Sequence, residues 1–148
     1  MVNANLERVE LEILIRARLE RVWKALVEET NLWWLKDFYV SDKAQRFVLE
    51  PKLGGRLLED WGNDSGVVWY EIFAFNPPYS IDLRGSLSVP YGPAFSLLHL
   101  ELQPHEQRTK FLLSDSVFGV STDGGKSKKD GWKQLFEDGL KKYVEERV

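Results

Sequence analysis

The chain has 148 residues, of which 43% are hydrophobic and 29% are charged, a balance typical of one globular domain. It contains no cysteine, which excludes disulfides, thiolate nucleophiles and cysteine-based metal sites. The net charge of −3 argues against a general nucleic-acid binder, and no apolar run approaches the ~20 residues of a membrane span.

The first forty residues predict a strand followed by two short helices. Residues 6–17 alternate between apolar and charged side chains, as a half-buried strand does. Apolar residues then recur at helical spacing over 19–27, which predicts an amphipathic helix. Thr30 and Asn31 predict the end of this helix and the cap of a second short helix that runs to Phe38.

The middle of the chain predicts a sheet. Strand-like runs alternate with turns rich in Pro, Gly, Asn and Asp, and the last turn is expected at residues 104–107. The turns leave no room for crossover helices, so neighbouring strands should pair antiparallel. The predicted strands span residues 46–50, 56–61, 67–75, 80–89, 95–102 and 109–118.

The last segment predicts a long amphipathic helix, capped by Asp123 or Ser127, with Glu137 and Lys141 paired on its outer side. The helix and the sheet each have one apolar face, and packing the helix across a curved sheet buries both. We therefore predict an α+β fold in a single domain, residues 1–148. The apolar stripe of the helix consists of Trp132, Leu135, Phe136, Leu140, Tyr143 and Val144.

Short motifs occur in a fixed order along nearly the whole chain. They are Ile15-Arg-Ala17 before Arg21-Val-Trp23, Leu32-Trp33-Trp34, Leu49-Glu-Pro-Lys-Leu-Gly54-Gly55-Arg56, Asn76-Pro77-Pro78, Leu102-Gln-Pro104, Thr109-Lys-Phe111 and Gly131-Trp132. Together these motifs resemble the START-like (SRPBCC) helix-grip superfamily, in the branch named for homologues of the activator of heat-shock protein 90 ATPase. The resemblance implies a curved antiparallel sheet wrapped around a long C-terminal helix, two short helices after the first strand, and an internal apolar pocket.

Aromatic residues make up 13% of the chain, including 6 Trp, and such an excess is typical of proteins with an apolar pocket. The alternative is that these rings simply fill the core. The residues expected to line the pocket are Trp33, Trp34, Phe38, Trp61, Trp69, Leu100, Leu113, Asp115, Trp132 and Phe136.

Asp115 is the one candidate for chemistry. In the last predicted strand it shares a phase with Phe111 and Leu113, so its carboxylate is expected on the apolar face. A buried carboxylate must be protonated or hydrogen-bonded, which would suit a polar contact for a ligand or an acid–base group. The alternative is an ion pair with a nearby Arg or Lys and no further role.

His99 and Glu101 share one face of a predicted strand and could begin a metal site. Zinc sites use three or four ligands, and the second histidine, His105, lies beyond the strand end. A solvated outer face is the more economical interpretation. We expect no metal and no cofactor.

The leading functional hypothesis is binding of a small hydrophobic or amphipathic ligand in an internal cavity under the C-terminal helix. One alternative, which the name of the similar family suggests, is a co-chaperone-like module that binds another protein; a homodimer is a further alternative. Another is a cyclase or dehydratase that uses Asp115 or a nearby acid for proton transfer in the pocket, although a non-enzymatic role is favoured. The N-terminus lacks the features of a signal peptide, so we expect a cytoplasmic protein with no nucleic-acid partner and no membrane insertion.

Overall fold

The chain folds around a seven-stranded sheet. Its structure is a computed structural model that describes residues 3–86, 94–120 and 126–146. From β2 to β7, each strand pairs antiparallel with the next strand along the chain, and β1 pairs with β7. The sheet order is therefore β1-β7-β6-β5-β4-β3-β2. The strands are β1 (Asn5–Ile15), β2 (Arg46–Leu49), β3 (Arg56–Gly62), β4 (Ser65–Asn76), β5 (Ser80–Gly85), β6 (Ala94–His105) and β7 (Arg108–Gly119).

Two short helices and one long C-terminal helix complete the fold. The C-terminal helix is continuous but changes its winding, because a π-helical stretch separates its two α-helical parts. These elements confirm the predicted curved sheet, long terminal helix and α+β class. The helices are α1 (Leu19–Glu28), α2 (Thr30–Trp33) with a 3₁₀ turn at Lys36–Phe38, and the C-terminal helix formed by α3 (Lys126–Gln134), the π segment (Leu135–Lys141) and α4 (Lys142–Glu146).

The predicted strands are confirmed, with differences at their ends. The strand predicted for 80–89 ends at Gly85, and residues 87–89 lie outside the described residues. The turn predicted at 104–107 is shorter, because β6 continues through Pro104 to His105. Glu106 and Gln107 form a two-residue turn between His105 and Arg108, and Glu106 has a φ of 60°. The strand therefore ends at this turn and not at Pro104.

The second predicted helix is wrong in extent and in its cap. α2 ends at Trp33, and Trp34 is extended, with a ψ of 121°. The Trp34 ring stacks on Phe47 at 3.7 Å between ring centroids, which holds it out of the helix. Neither predicted cap residue caps α2: the Thr30 hydroxyl donates to the Leu26 carbonyl, and the Asn31 Oδ1 accepts from the Phe47 amide.

The C-terminal helix also departs from prediction in detail. Ser127 lies inside α3 and so is not its cap, while Asp123 lies outside the described residues. Lys141 does not pair with Glu137. Its ammonium contacts Glu145 at 2.8 Å and the Leu14 carbonyl at 2.6 Å, because the π segment alters the i,i+4 geometry on this face.

The core lies between the inner face of the sheet and the apolar side of the C-terminal helix. Ile15, Phe111 and Leu113 of the sheet and Leu135 and Leu140 of the helix are almost completely buried there. Within the described ranges, no helix combines the length and the apolar character needed to cross a bilayer.

Candidate functional site

Asp115 is completely buried and points inward from β7. The alternation of the strand puts it in line with Phe111 and Leu113, which are equally buried. Its neighbours across the sheet are Val9 of β1 and Leu98 of β6. A carboxylate in such apolar surroundings needs hydrogen bonds to compensate for its lost hydration.

Four side chains from three other elements supply a polar chain around this carboxylate. Ser96 of β6 donates to Oδ1 at 2.5 Å, and the Tyr70 hydroxyl of β4 lies 2.9 Å from the Ser96 oxygen. Trp132 of α3 donates its indole N–H to Oδ2 at 2.9 Å. The Lys128 ammonium lies 3.2 Å from the same oxygen. We call this set, with Asp115, the Asp115 network.

The Asp115 network combines buried groups with a partly exposed lysine. Burial, and next the charge of Asp115, raise the pKa of Tyr70 far above its usual range, so Tyr70 stays a neutral hydrogen-bonding group. The side chain of Lys128 is 33% exposed, whereas that of Asp115 has no exposure. The ion pair expected in the alternative interpretation of Asp115 therefore exists, and it joins the buried chain to the protein surface.

An apolar void lies beside the network, between the sheet and the C-terminal helix. Its volume is about 20 Å³, which is room for about one water-sized molecule. Ligand pockets usually have volumes of roughly 300–1,000 Å³, so the rings of this wall leave little free space. The predicted pocket residues that line the void are Trp33, Trp34, Leu100, Trp132 and Phe136.

The other predicted pocket residues lie outside the void wall, and among them Trp61 of β3 is half-buried and donates to Glu59 instead. Trp69 packs edge-on against Trp34 and Phe47, at centroid distances of 5.5 and 5.4 Å. Phe38 is half-buried beside Gly131, while Leu113 is buried in the sheet without lining the void. The structure thus brings five predicted residues to one void, and it joins Asp115 to that void through the Trp132 indole.

Sequence reasoning missed a second buried carboxylate, Glu59 of β3, which is fully buried. Its oxygens accept hydrogen bonds from the amides of Val40 (2.6 Å) and Ser41 (3.0 Å) and from the Trp61 indole (2.7 Å). It therefore fastens the segment after the 3₁₀ turn to the sheet. The signal was present, since Leu57, Glu59 and Trp61 share a phase as Phe111, Leu113 and Asp115 do.

His99 lies on the outer face of the sheet, as the alternation of β6 predicts. Its ring nitrogens contact Asp82 at 2.7 Å and Glu101 at 3.1 Å. Partial burial lowers the pKa of His99, but the hydrogen bonds to Glu101 and Asp82 outweigh burial and raise the pKa above its usual value. Across the residues described, no cluster of three or more His, Cys, Asp or Glu side chains has the arrangement of a metal site.

Solved structures with the same architecture come from several bacteria. An uncharacterised protein of Rhizobium leguminosarum is 16% identical, with a TM-score of 0.69, and the match covers 98% of this chain and 99% of that one. A protein of Mesorhizobium loti is 23% identical, with a TM-score of 0.68 and coverage of 95% and 98%. The Aha1 dimer of Colwellia psychrerythraea is 17% identical, with a TM-score of 0.66 and coverage of 93% and 95%. At these identities the likeness shows the fold.

The sequence itself decides the family. No curated protein sequence matches the chain. A family model described as "Activator of Hsp90 ATPase homolog 1-like protein" matches residues 16–145, a range that runs from the residue after β1 into α4. The chain therefore belongs to the family of activator of Hsp90 ATPase homolog 1-like proteins.

Proposed function

We propose that the protein binds a small apolar or amphipathic molecule between the sheet and the C-terminal helix. One observation carries this proposal: an apolar void lined by aromatic rings adjoins the Asp115 network, and Trp132 belongs to both. Contact with the apolar wall would supply most of the affinity, and the buried polar groups would orient the molecule. Because the void is only about 20 Å³, binding requires wall side chains to move.

Native mass spectrometry of freshly purified protein tests this proposal. We expect a small molecule to co-purify with the natural protein. The Leu98→Phe variant, which fills the void, should lose it, because Leu98 is buried in the void wall. Leu97→Phe is the matched control, since Leu97 is the next residue along β6 and lies exposed on the outer face.

The proposal also makes a prediction for added ligands. Fatty acids, sterols and phenols should include compounds that raise the melting temperature of the natural protein and of Leu97→Phe, but not of Leu98→Phe. If nothing co-purifies and no compound of these classes shifts the melting temperature, the protein does not bind ligands in this interior.

A second candidate function, homodimerisation, is favoured by an apolar patch on the outer face of the sheet. We call Leu6, Phe95 and Phe118 the outer patch. Phe118 is the direct cross-strand neighbour of both Leu6 and Phe95, so the three side chains lie together. Leu6 is 61% and Phe118 57% exposed, and contiguous exposed apolar patches are often interaction sites. We propose a second copy of the chain as the occupant, because the similar Colwellia psychrerythraea protein is a dimer.

Sedimentation velocity over a range of concentrations tests the dimer. The natural protein should shift from monomer to dimer as its concentration rises, and Phe118→Ser should remain a monomer. Leu53→Ser is the control, since Leu53 is 70% exposed and lies outside the outer patch. A natural protein that stays monomeric at high concentration would exclude this candidate and leave ligand binding untouched.

A further inference from the structure

Trp132 occupies a position that a ligand could take. The residue is only 6% exposed and forms part of the void wall. Its ring lies 5.8 Å from the Phe136 ring and 6.3 Å from the Tyr70 ring, measured between centroids. Its indole N–H donates to Asp115 at 2.9 Å. The residue is thus a flat aromatic ring in an aromatic site, with one donor on a buried carboxylate.

The chemistry of the Asp115 carboxylate restricts what could replace the indole. Oδ1 is held by Ser96, whereas Oδ2 accepts from Trp132 and lies near the partly exposed Lys128. A molecule that displaced the indole without offering a donor would leave this oxygen short of a hydrogen bond, which is unfavourable for a buried charge. A molecule with its own carboxylate or phosphate at this position would be repelled by Asp115.

We infer that the ligand is a flat aromatic molecule with a neutral hydroxyl or N–H donor, and that it binds by taking the place of the Trp132 indole. This inference rests on the proposed function and names the ligand class for that site. The ring of the ligand packs between Tyr70 and Phe136, and its donor bonds to Asp115. Movement of Trp132 also supplies the space that the void lacks, because the void is contiguous with the ring that leaves.

The pair 2-naphthol and naphthalene tests the inference by calorimetric titration, because the two molecules differ mainly in one hydroxyl. The natural protein should bind 2-naphthol about tenfold more tightly, the usual effect of one hydrogen bond to a charged acceptor. Asp115→Asn should reduce this preference to about twofold, since the acceptor is then neutral. An equal affinity for the two probes would overturn the requirement for a donor.

The displacement of Trp132 has its own readout. The Trp132 indole signal in the nitrogen-15 spectrum is identified as the one that is missing from the spectrum of Trp132→Phe. This signal should shift when 2-naphthol binds to the natural protein. Trp132→Phe should bind both probes about tenfold more tightly, because no indole hydrogen bond has to be broken. Trp23→Phe is the control, since Trp23 packs on Phe75 outside the void wall, and should leave both affinities unchanged.

The two proposals fail in different ways. If both probes bind with equal affinity and the Trp132 signal does not move, the inference is wrong while ligand binding in the interior stands. If neither probe binds, the inference is also wrong, and the mass-spectrometric comparison of Leu98→Phe with Leu97→Phe still decides the proposed function.

Discussion

Two tryptophan indoles show how one buried N–H can stabilise the fold while another does not. Trp132 donates to Asp115 at 2.9 Å, whereas the Trp69 indole nitrogen is buried without a partner among the described residues. Phenylalanine keeps an aromatic ring at either position but removes the N–H group. The two substitutions should therefore have unequal effects on stability.

Trp132→Phe should lower the free energy of unfolding by about 2–3 kcal/mol, because it leaves the Asp115 carboxylate with one donor fewer. Trp69→Phe should change it by less than about 1 kcal/mol, since the lost N–H made no hydrogen bond. Urea unfolding followed by far-UV circular dichroism measures both values. Equal losses would mean that ring volume, rather than the hydrogen bond to Asp115, dominates at both positions.

His99 should make stability depend on pH. Its pKa is raised in the folded protein above the ordinary value near 6.5, so the folded state binds its proton more tightly than the unfolded state does. This contribution is fully present below the unfolded pKa and is lost as the pH rises through the folded pKa. Unfolding measured from pH 5 to 9 should show the decline, and an NMR titration of the His99 ring should give the folded pKa.

His99→Gln should flatten this part of the pH profile, and His105→Gln, a change at the exposed end of β6, should leave it unaltered. A profile that keeps its slope in His99→Gln would assign the pH dependence to other groups. In either case the Asp82–His99–Glu101 cluster stays a surface feature, outside the proposed binding site.

At the scale of single elements, the π segment is the departure from regular structure that matters most. A Cβ atom added at Gly139 would lie 2.7 Å from the Trp33 carbonyl oxygen and 3.2 Å from the Trp33 ring. Gly139 therefore allows the C-terminal helix to approach α2, and it does so beside a residue of the void wall.

Gly139→Ala should destabilise the protein by about 1–3 kcal/mol, although helix propensity alone predicts a gain of about 1 kcal/mol. Gly131→Ala is the matched control in the same helix, because a Cβ there would meet only the Phe38 ring at an ordinary 3.5 Å. Thermal unfolding of the two variants gives the comparison. Stabilisation by both substitutions would show that the helix and α2 are not in close contact at Gly139.

The strands show which parts of the site a sequence can predict. Alternation placed Asp115 inward correctly, because β7 is regular from Arg108 to Gly119. It could not place Trp69, since the register between β3 and β4 shifts from Leu57–Tyr70 to Leu58–Val68 and leaves Trp69 as an additional residue. Such a bulge changes which face of the sheet a side chain occupies, and the composition of the strand gives no signal for it.

At the scale of the whole molecule, the strands should unfold locally in an order set by the extent of their pairing in the sheet. β6 and β7 pair along their full lengths and β1 pairs along β7, whereas β2 is a four-residue strand at the margin. Amide hydrogen exchange should therefore be slowest in β6 and β7 and fastest among the strands in β2. Addition of dilute urea should accelerate exchange in β6 and β7 and change it little in β2. Uniform rates across the sheet would mean that it opens only as one unit.

At this scale the sequence predicts the architecture but not the interior. Turn spacing and the two hydrophobic periods determine an antiparallel sheet and its helix, as observed. The free volume in the interior depends on how individual rings pack. The stacking of Trp34 on Phe47, for example, is a tertiary contact that no local sequence signal predicts. The side chains of the Asp115 network come from β4, β6, β7 and α3, so only the folded chain brings them together.

The hydrogen bond from the Phe47 amide to Asn31 has a consequence for self-association. β2 ends the sheet, and an uncovered sheet margin is where a foreign strand can dock and start fibril growth. The Phe47 amide of β2 already donates to the Asn31 side chain of α2, so an added strand could not use this donor. Asn31 thus hinders the addition of a further strand at this edge of the sheet and so opposes polymerisation.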